Sequence, residues 1–368
     1  MLYRLLFPLS DRHIIFNVFQ YISFRAAGAM VTALLLTFLV GPPVIRWLKT
    51  QGWGQVVRMD GPSSHFHKAG TPTMGGLIIV ATVLISTLLW ARLDDPYVVI
   101  VASATAWFGA IGFMDDYLKI VRREPRGLVV KYKLVWQMAA GLTLGVFLLL
   151  FPLSGQPPTH TMLPFFKDYY VVFWAPLYPL FVALVVTGSS NGVNLADGLD
   201  GLAAGLSGIA ALTFGLFAYV IGRVDTSAYL GTFYLPGSGE LGVFCAAITG
   251  AAIGFLWFNA PPADVFMGDT GALALGGALG VTAVLLKSEF LLVLVGGVFV
   301  AEAVSVLLQT GWFKFTRWRT GTGRRLFRMA PLHHHFEKSG WPETRVVVRF
   351  YILAILCSLV SLATLKIR

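Results

Sequence analysis

The sequence predicts an all-α, polytopic integral membrane protein with about ten transmembrane helices. Three observations carry that prediction. Hydrophobic residues make up 56% of the 368 and charged residues only 12%, against about 25% charged in a soluble domain. Apolar stretches recur along the whole chain, each near the ~20 residues a helix needs to cross a bilayer. Lys and Arg gather in alternate connections instead of spreading evenly. A mean hydropathy of +0.73 agrees. Soluble, disordered and fibrous classes are excluded.

In order, the spans read as Ala26–Ile45, Met74–Ala91, Tyr97–Met114, Leu134–Leu153, Tyr169–Gly188, Leu199–Ile221, Leu241–Phe258, Gly271–Leu286, Phe290–Leu308 and Phe350–Leu365. The third, eighth and tenth are short. The segment before the first span is broken by Asp11, Arg12, His13 and Asn17. No small-residue cleavage site follows the first span, so this segment reads as interfacial, not as a cleaved signal. Cys245 and Cys357 both lie in apolar runs, which argues against a disulfide framework. No long repeat or soluble domain interrupts the chain, and residues 1–368 read as a single transmembrane domain.

Charge sets the expected orientation. Nineteen of the 28 Lys and Arg residues follow spans one, three, five, seven and nine, and nine lie on the other side with the termini. By the positive-inside rule, the loops at about 46–73, 115–133, 189–198, 259–270 and 311–349 are cytoplasmic and both termini are periplasmic. The net charge of +10 is then a property of those loops. It does not call for nucleic acid.

The polar chemistry collects on that expected cytoplasmic face. Asp115 and Asp116 end the third span, with Lys119 on the same helical face. Acids at a helix C-terminus meet the negative end of the dipole and need a cation. A mere membrane-edge marker is better made of Lys or Arg, which favours a functional reading. Asn194, Asp197 and Asp200 recur at three-residue steps and form one polar stripe if helical; capping explains Asp197 alone. The stretch from Asn259 through Phe266 to Gly268 and Asp269 opens the eighth span. Its free N–H groups suit phosphate oxygens, and Asp269 suits a hard cation. A Pro-Pro turn before a capped helix explains it about as well. His333, His334 and His335 stand in a basic loop with Arg324, Arg325 and Arg328. Zinc draws on spaced ligands, so phosphate or sugar contact fits better, while lipid headgroups would explain the arginines only. Lys68 is a candidate anion contact. Gly75-Gly76, Gly201/Gly205 and Gly276/Gly280 read as close packing. Glu302, inside a span, is a functional candidate by location. Acids, lysines, histidines and helix starts on one membrane face suggest phosphoryl transfer to a lipid acceptor.

The stretches MDDYLK, NGVNLADGLDG, NAPPADVFMGDTG, PLHHHFEKSGWPE and HKAGTPTMGG resemble the phospho-N-acetylmuramoyl-pentapeptide transferases, within the polyprenyl-phosphate N-acetylhexosamine-1-phosphate transferase superfamily. The resemblance spans essentially the whole chain. It implies Mg2+-dependent transfer of phospho-MurNAc-pentapeptide from UDP-MurNAc-pentapeptide to undecaprenyl phosphate, giving lipid I and UMP at the inner face of the bacterial cytoplasmic membrane. It also implies a homodimer. Carried over by position, Asp115 would deprotonate the lipid phosphate with Asp116 beside it, and Asp269 would hold magnesium. Lys68, Asn194, Asp197, Asp200, Asn259 and Phe266 would line the nucleotide side. His333, counted among the reacting residues, would meet the diphosphate or sugar with His334 and His335. Lys119 and Lys131 would contact phosphates. Direct attack and a phospho-aspartyl route both fit this set. A sister enzyme using UDP-GlcNAc is the nearest alternative. An ion-coupled transporter fits less well, because transporters place charges near the midplane and these acids sit at span ends.

Overall fold

The computed structural model describes residues 1–54, 70–122, 124, 127–166 and 169–366. Fourteen α-helices occur among them. α1 (Leu2–Leu6) precedes α2 (Ile22–Thr50), α3 (Gly76–Trp90), α4 (Pro96–Ile120) and α5 (Val130–Leu150). Then come α6 (Tyr178–Ala196), α7 (Leu202–Ile221), α8 (Val224–Leu230), α9 (Glu240–Asn259) and α10 (Gly268–Leu285). The chain ends in α11 (Glu289–Val295), α12 (Gly297–Thr320), α13 (Leu332–Glu337) and α14 (Glu343–Ala363). Nine of these are long and apolar enough to cross a membrane, and α3 is a shorter apolar helix of 15 residues. The chain is therefore a largely helical, multi-pass membrane protein.

The all-α class holds, with one short strand pair beside the helices. β1 (His160–Met162) and β2 (Tyr170–Val172) form a small antiparallel pair, with Thr161 opposite Val171. The fifth span was expected from Tyr169, but Tyr170–Val172 is spent on that pair. α6 starts at Tyr178, with Pro179 in its first turn, where a proline's missing N–H costs nothing. The ninth span is divided between α11 and α12 at Gly296. Elsewhere the helices outrun the expected span ends. α4 continues through Lys119, α6 through Asn194 and α12 to Thr320, so much of the expected loop chemistry is helical.

α10 is the axis of the molecule. Its apolar window is 89% buried, against 28% for α2 and α5 and 22% for α12. It packs on α3, α4, α6 and α7. Lipid offers no hydrophobic drive between helices, so close backbone approach through small residues does that work. A Cβ on Gly76 of α3 would stand 2.0 Å from the Gly271 nitrogen, and one on Gly112 of α4 would stand 2.1 Å from the Asp269 carbonyl oxygen. The chain entering α3 is paired to the chain entering α10. Phe266 N–H donates to the Pro72 carbonyl at 2.8 Å, and Gly75 N–H donates back to the Phe266 carbonyl at 2.8 Å.

The other end of the bundle has its own charged lock. Arg25 of α2, 1% exposed, donates through both terminal nitrogens to the Glu240 carboxylate of α9 at 2.6 Å. Arg92 N–H donates to Glu240 at 3.0 Å. A buried pair survives when its geometry is bidentate and its spare lone pairs are taken.

The glycine contacts make a prediction. Gly112→Ala pushes a methyl group into the α10 backbone and lowers stability by about 1–3 kcal/mol, the usual cost of overpacking. Denaturation of the detergent-solubilised variant measures it. An unchanged midpoint would show that α4 and α10 have room to separate.

Candidate functional site

The site begins where the C-terminal turns of α4 meet the first turn of α10. Asp115 Oδ2 accepts from Lys119 Nζ at 2.9 Å and from Lys133 Nζ of α5 at 3.1 Å. Asp269 Oδ2 accepts from the same two ammonium groups, at 2.8 and 2.9 Å. Two carboxylates from distant parts of the chain thus share two lysines. Asp115 is 2% exposed. Burying two like charges side by side is tolerable only when cations stand between them. The remaining oxygens are also used. Leu128 N–H donates to Asp115 Oδ1 at 2.7 Å, and Asn194 Nδ2 donates to Asp269 Oδ1 at 2.6 Å. The 127–128 connection comes this close because Gly127 has φ +58°, and a Cβ there would lie 2.3 Å from Asp115 Oδ1.

Asp116 points the other way. Its carboxylate accepts from the N–H groups of Asp269 (3.1 Å) and Thr270 (2.9 Å) and from the Thr270 hydroxyl (2.7 Å). It is a cap on α10 supplied by α4, with its charge at the positive end of the α10 dipole. This corrects the expectation of free N–H groups awaiting phosphate at the start of the eighth span. Two of those donors already serve Asp116, which fixes Asp269 in its place.

The expected polar stripe is broken. α6 ends at Ala196, so Asn194 is helical while Asp197 and Asp200 lie in the turns that follow. Asp197 accepts from the Gly268 N–H, and burial, with the charges of Asp269 and Asp116 next, pushes its carboxyl up to about 8. Asp200 and Asn259 tie connections together. The Asp200 N–H donates to Glu343 at 2.8 Å, and Asp200 Oδ2 accepts from Ala263 N–H at 3.2 Å. Asn259 accepts from Gly201 N–H at 3.0 Å and donates to the Val265 carbonyl at 2.8 Å. Phe266 is half-buried, and its backbone is paired with Pro72 and Gly75.

The three histidines have three different surroundings. His333 is fully buried; its N–H donates to Glu302 Oε1 of α12 at 3.2 Å, and its Nδ1 lies 3.2 Å from the same oxygen. Its Nε2 presses on Gly198, where a Cβ would be 2.2 Å away. His334 Nδ1 is 2.8 Å from Glu337 Oε2, and His335 Nδ1 accepts from Arg328 N–H at 3.2 Å. Glu302, a candidate by location alone, is thus the support under His333.

The structure brings Asp115, Lys119, Asn194 and Asp269 together, with Asp116 and Asp197 around them. Lys131 is exposed, and the lysine of α5 that reaches the acids is Lys133, which sequence reasoning passed over. A signal existed: Gln137 interrupts an apolar run one turn after Lys133 and marks the inward face of α5. Lys68 lies outside the described residues. Among the described residues no three His, Cys, Asp or Glu side chains form a metal cage. The donor set of Asp115, Asp269 and the Asn194 amide still fits magnesium, which takes one or two carboxylates and fills the rest with water and phosphate oxygens.

The profile of glycosyl transferase family 4 matches residues 98–287, a range that holds every acid of the cluster. A phospho-N-acetylmuramoyl-pentapeptide-transferase signature matches residues 68–80. The chain is 57% identical to a phospho-N-acetylmuramoyl-pentapeptide-transferase of Gemmatimonas aurantiaca. It is 51% identical to one of Desulfatibacillum aliphaticivorans and 50% to one of Citrifermentans bemidjiense. Each match covers the whole of both chains.

Asp197 gives a pH prediction. Its folded value of about 8 lies above its ordinary 3.8, so folding takes up a proton between the two. Its contribution to stability is therefore lost as pH rises through that window. The thermal midpoint should fall more steeply from pH 5 to pH 9 in the wild type than in Asp197→Asn. Parallel profiles would refute a neutral Asp197.

Proposed function

The chain belongs to the phospho-N-acetylmuramoyl-pentapeptide-transferase family, and on that premise we propose how its clustered acids carry out the transfer. The reaction moves phospho-MurNAc-pentapeptide from UDP-MurNAc-pentapeptide to undecaprenyl phosphate, giving lipid I and UMP. The observation that carries the site assignment is the sharing of Lys119 and Lys133 between Asp115 and Asp269.

In this reading the working face is cytoplasmic, the termini are periplasmic, and the membrane is the bacterial inner membrane. The basic connections support that orientation. Residues 1–368 act as one transmembrane domain, and two copies pair, as the family resemblance implies. Asp115 takes the proton of the lipid phosphate. Phosphate oxygens draw Lys119 and Lys133 away from the carboxylates, which frees Asp115 to act and neutralises the transferring group. Asp269 would hold magnesium, with Asp115 and Asn194 in reach, and the ion would supply positive charge against the diphosphate. Asp116 keeps Asp269 aimed by capping α10. Asp197, as a neutral acid, offers a hydrogen-bond donor to the nucleotide side, where Lys68 and Phe266 complete the lining and the buried Asp200 and Asn259 brace the turns behind it. His334 and His335 face the diphosphate and sugar; His333, expected among the reacting residues, is buried between Glu302 and Gly198 and instead anchors the helix that carries them.

The assay uses purified protein, UDP-MurNAc-pentapeptide, undecaprenyl phosphate and magnesium, and follows UMP and lipid I together. Both should appear in equal amounts, stop on chelation and resume with magnesium. Asp115→Asn and Asp269→Asn should each lose at least a hundredfold in rate, about 2.7 kcal/mol of barrier, in folded protein. Losses of only severalfold would take the reacting role from these residues.

The two lysines of α5 separate the structural assignment from the sequence one. Lys133→Ala should cut the rate by about a hundredfold, while Lys131→Ala stays within about threefold of wild type. The reverse order, read in the same assay, would return the role to Lys131.

A further inference from the structure

One turn deeper than the acid–lysine cluster, three of its four helices, α5, α6 and α10, are joined again by uncharged groups. On α5, Gln137 lies four residues beyond Lys133. On α6, Asn191 and Ser190 lie three and four residues before Asn194. On α10, Leu273 lies four residues past Asp269. One helical turn is 3.6 residues, so each helix repeats its contribution at the next level. Gln137 Oε1 accepts from Asn191 Nδ2 at 2.8 Å, and Gln137 Nε2 donates to Ser190 Oγ at 3.3 Å. Ser190 Oγ donates to the Leu273 carbonyl at 3.2 Å, and Asn191 Nδ2 also donates to the Thr187 carbonyl at 2.9 Å. Gln137 and Ser190 are fully buried.

We propose that Gln137 is a positioning residue for the transfer reaction: it fixes the rotation and depth of α5 so that Lys133 Nζ stands between Asp115 and Asp269. The argument turns on what else holds α5. Most of this helix faces outward, and apolar surface against lipid does not select one rotation over another. Gly141 and Gly145 bring α5 within van der Waals contact of α6 at Ala183 and Pro179. That contact sets the distance between the helices, while directional hydrogen bonds set the phase. Lys133 is in the first turn of α5 and carries a long, flexible side chain. Its placement is therefore only as good as the placement of the helix beneath it. A misplacement of about 1 Å at a reacting group costs up to a hundredfold in rate.

The inference rests on the reading of Asp115, Asp269 and Lys133 as the reacting site, and the experiment separates the two. Gln137→Leu removes both bonds. Its kcat should fall about tenfold while KM for each substrate stays within about twofold. Gln137→Glu keeps an oxygen toward Asn191 and, as a neutral acid, a donor toward Ser190. It should keep kcat within about threefold. The double variant Gln137→Leu/Asn191→Leu places apolar against apolar. It should recover the thermal midpoint lost in the single variant without recovering kcat. A kcat for folded Gln137→Leu within twofold of wild type would sink the proposal. So would a double variant whose kcat returns with its midpoint, because the bonds would then serve folding alone. If Gln137→Leu does not fold, Ser190→Ala takes its place, with a severalfold loss in kcat expected and no loss counting against the proposal. Lys133→Ala and Asp269→Asn run alongside. Full activity in these would overturn the site reading itself, whereas their loss with an unaffected Gln137→Leu would overturn only the positioning role.

Discussion

Two carboxylates held beside each other within a membrane protein are the constraint on which the rest of the structure depends. Asp115 and Asp269 come from α4 and α10, and neither is tolerable there without positive charge close by. Lys119 comes from the same helix as Asp115, so half of the remedy is local. Lys133 comes from α5, and its arrival requires three helices to converge to within hydrogen-bond distance at one point. The glycine contacts of α10, the cap from Asp116 and the polar layer under Lys133 all act on that convergence. They use different forces: backbone approach, a carboxylate on a helix N-terminus, and neutral hydrogen bonds.

The arrangement divides adjacent acids by task. Asp115 and Asp116 are neighbours in the chain, yet one faces the lysines and the other the start of α10. On a helix, consecutive residues point about 100° apart, so an Asp-Asp pair at a helix end serves two partners at once. Asp197 is satisfied differently again. A backbone N–H meets it, and burial favours its neutral form. Three acids in one small region are thereby given a paired charge, a capping charge and a proton-bearing group.

Around this rigid centre the connections are cross-linked instead of free. Asn259 and Asp200 stitch the turns after α6 and α9 to each other, and Glu343 reaches in from α14. His333 lies between Glu302 and Gly198, which couples the histidine helix to the turn that carries Asp197. Segments far apart in the chain therefore meet the same centre as one packed surface.

The sequence alone determined the membrane class, the approximate spans, the reach of Lys119 toward the Asp115–Asp116 pair and the packing role of Gly76 and Gly276. Each of these follows from length, composition or spacing within one helix, where geometry is fixed by the 3.6-residue turn. The tertiary structure alone decided what crosses between helices. It put Lys133 and not Lys131 against the acids, turned Asp116 into the cap of a helix more than 150 residues away, buried His333 on Glu302, and ended α6 before Asp197. It also spent Tyr170–Val172 on a strand pair with His160–Met162. Periodicity says which face of a helix a residue occupies. It does not say which neighbour that face meets, because that depends on how helices distant in sequence pack, and here glycine-scale backbone contacts around α10 set the packing.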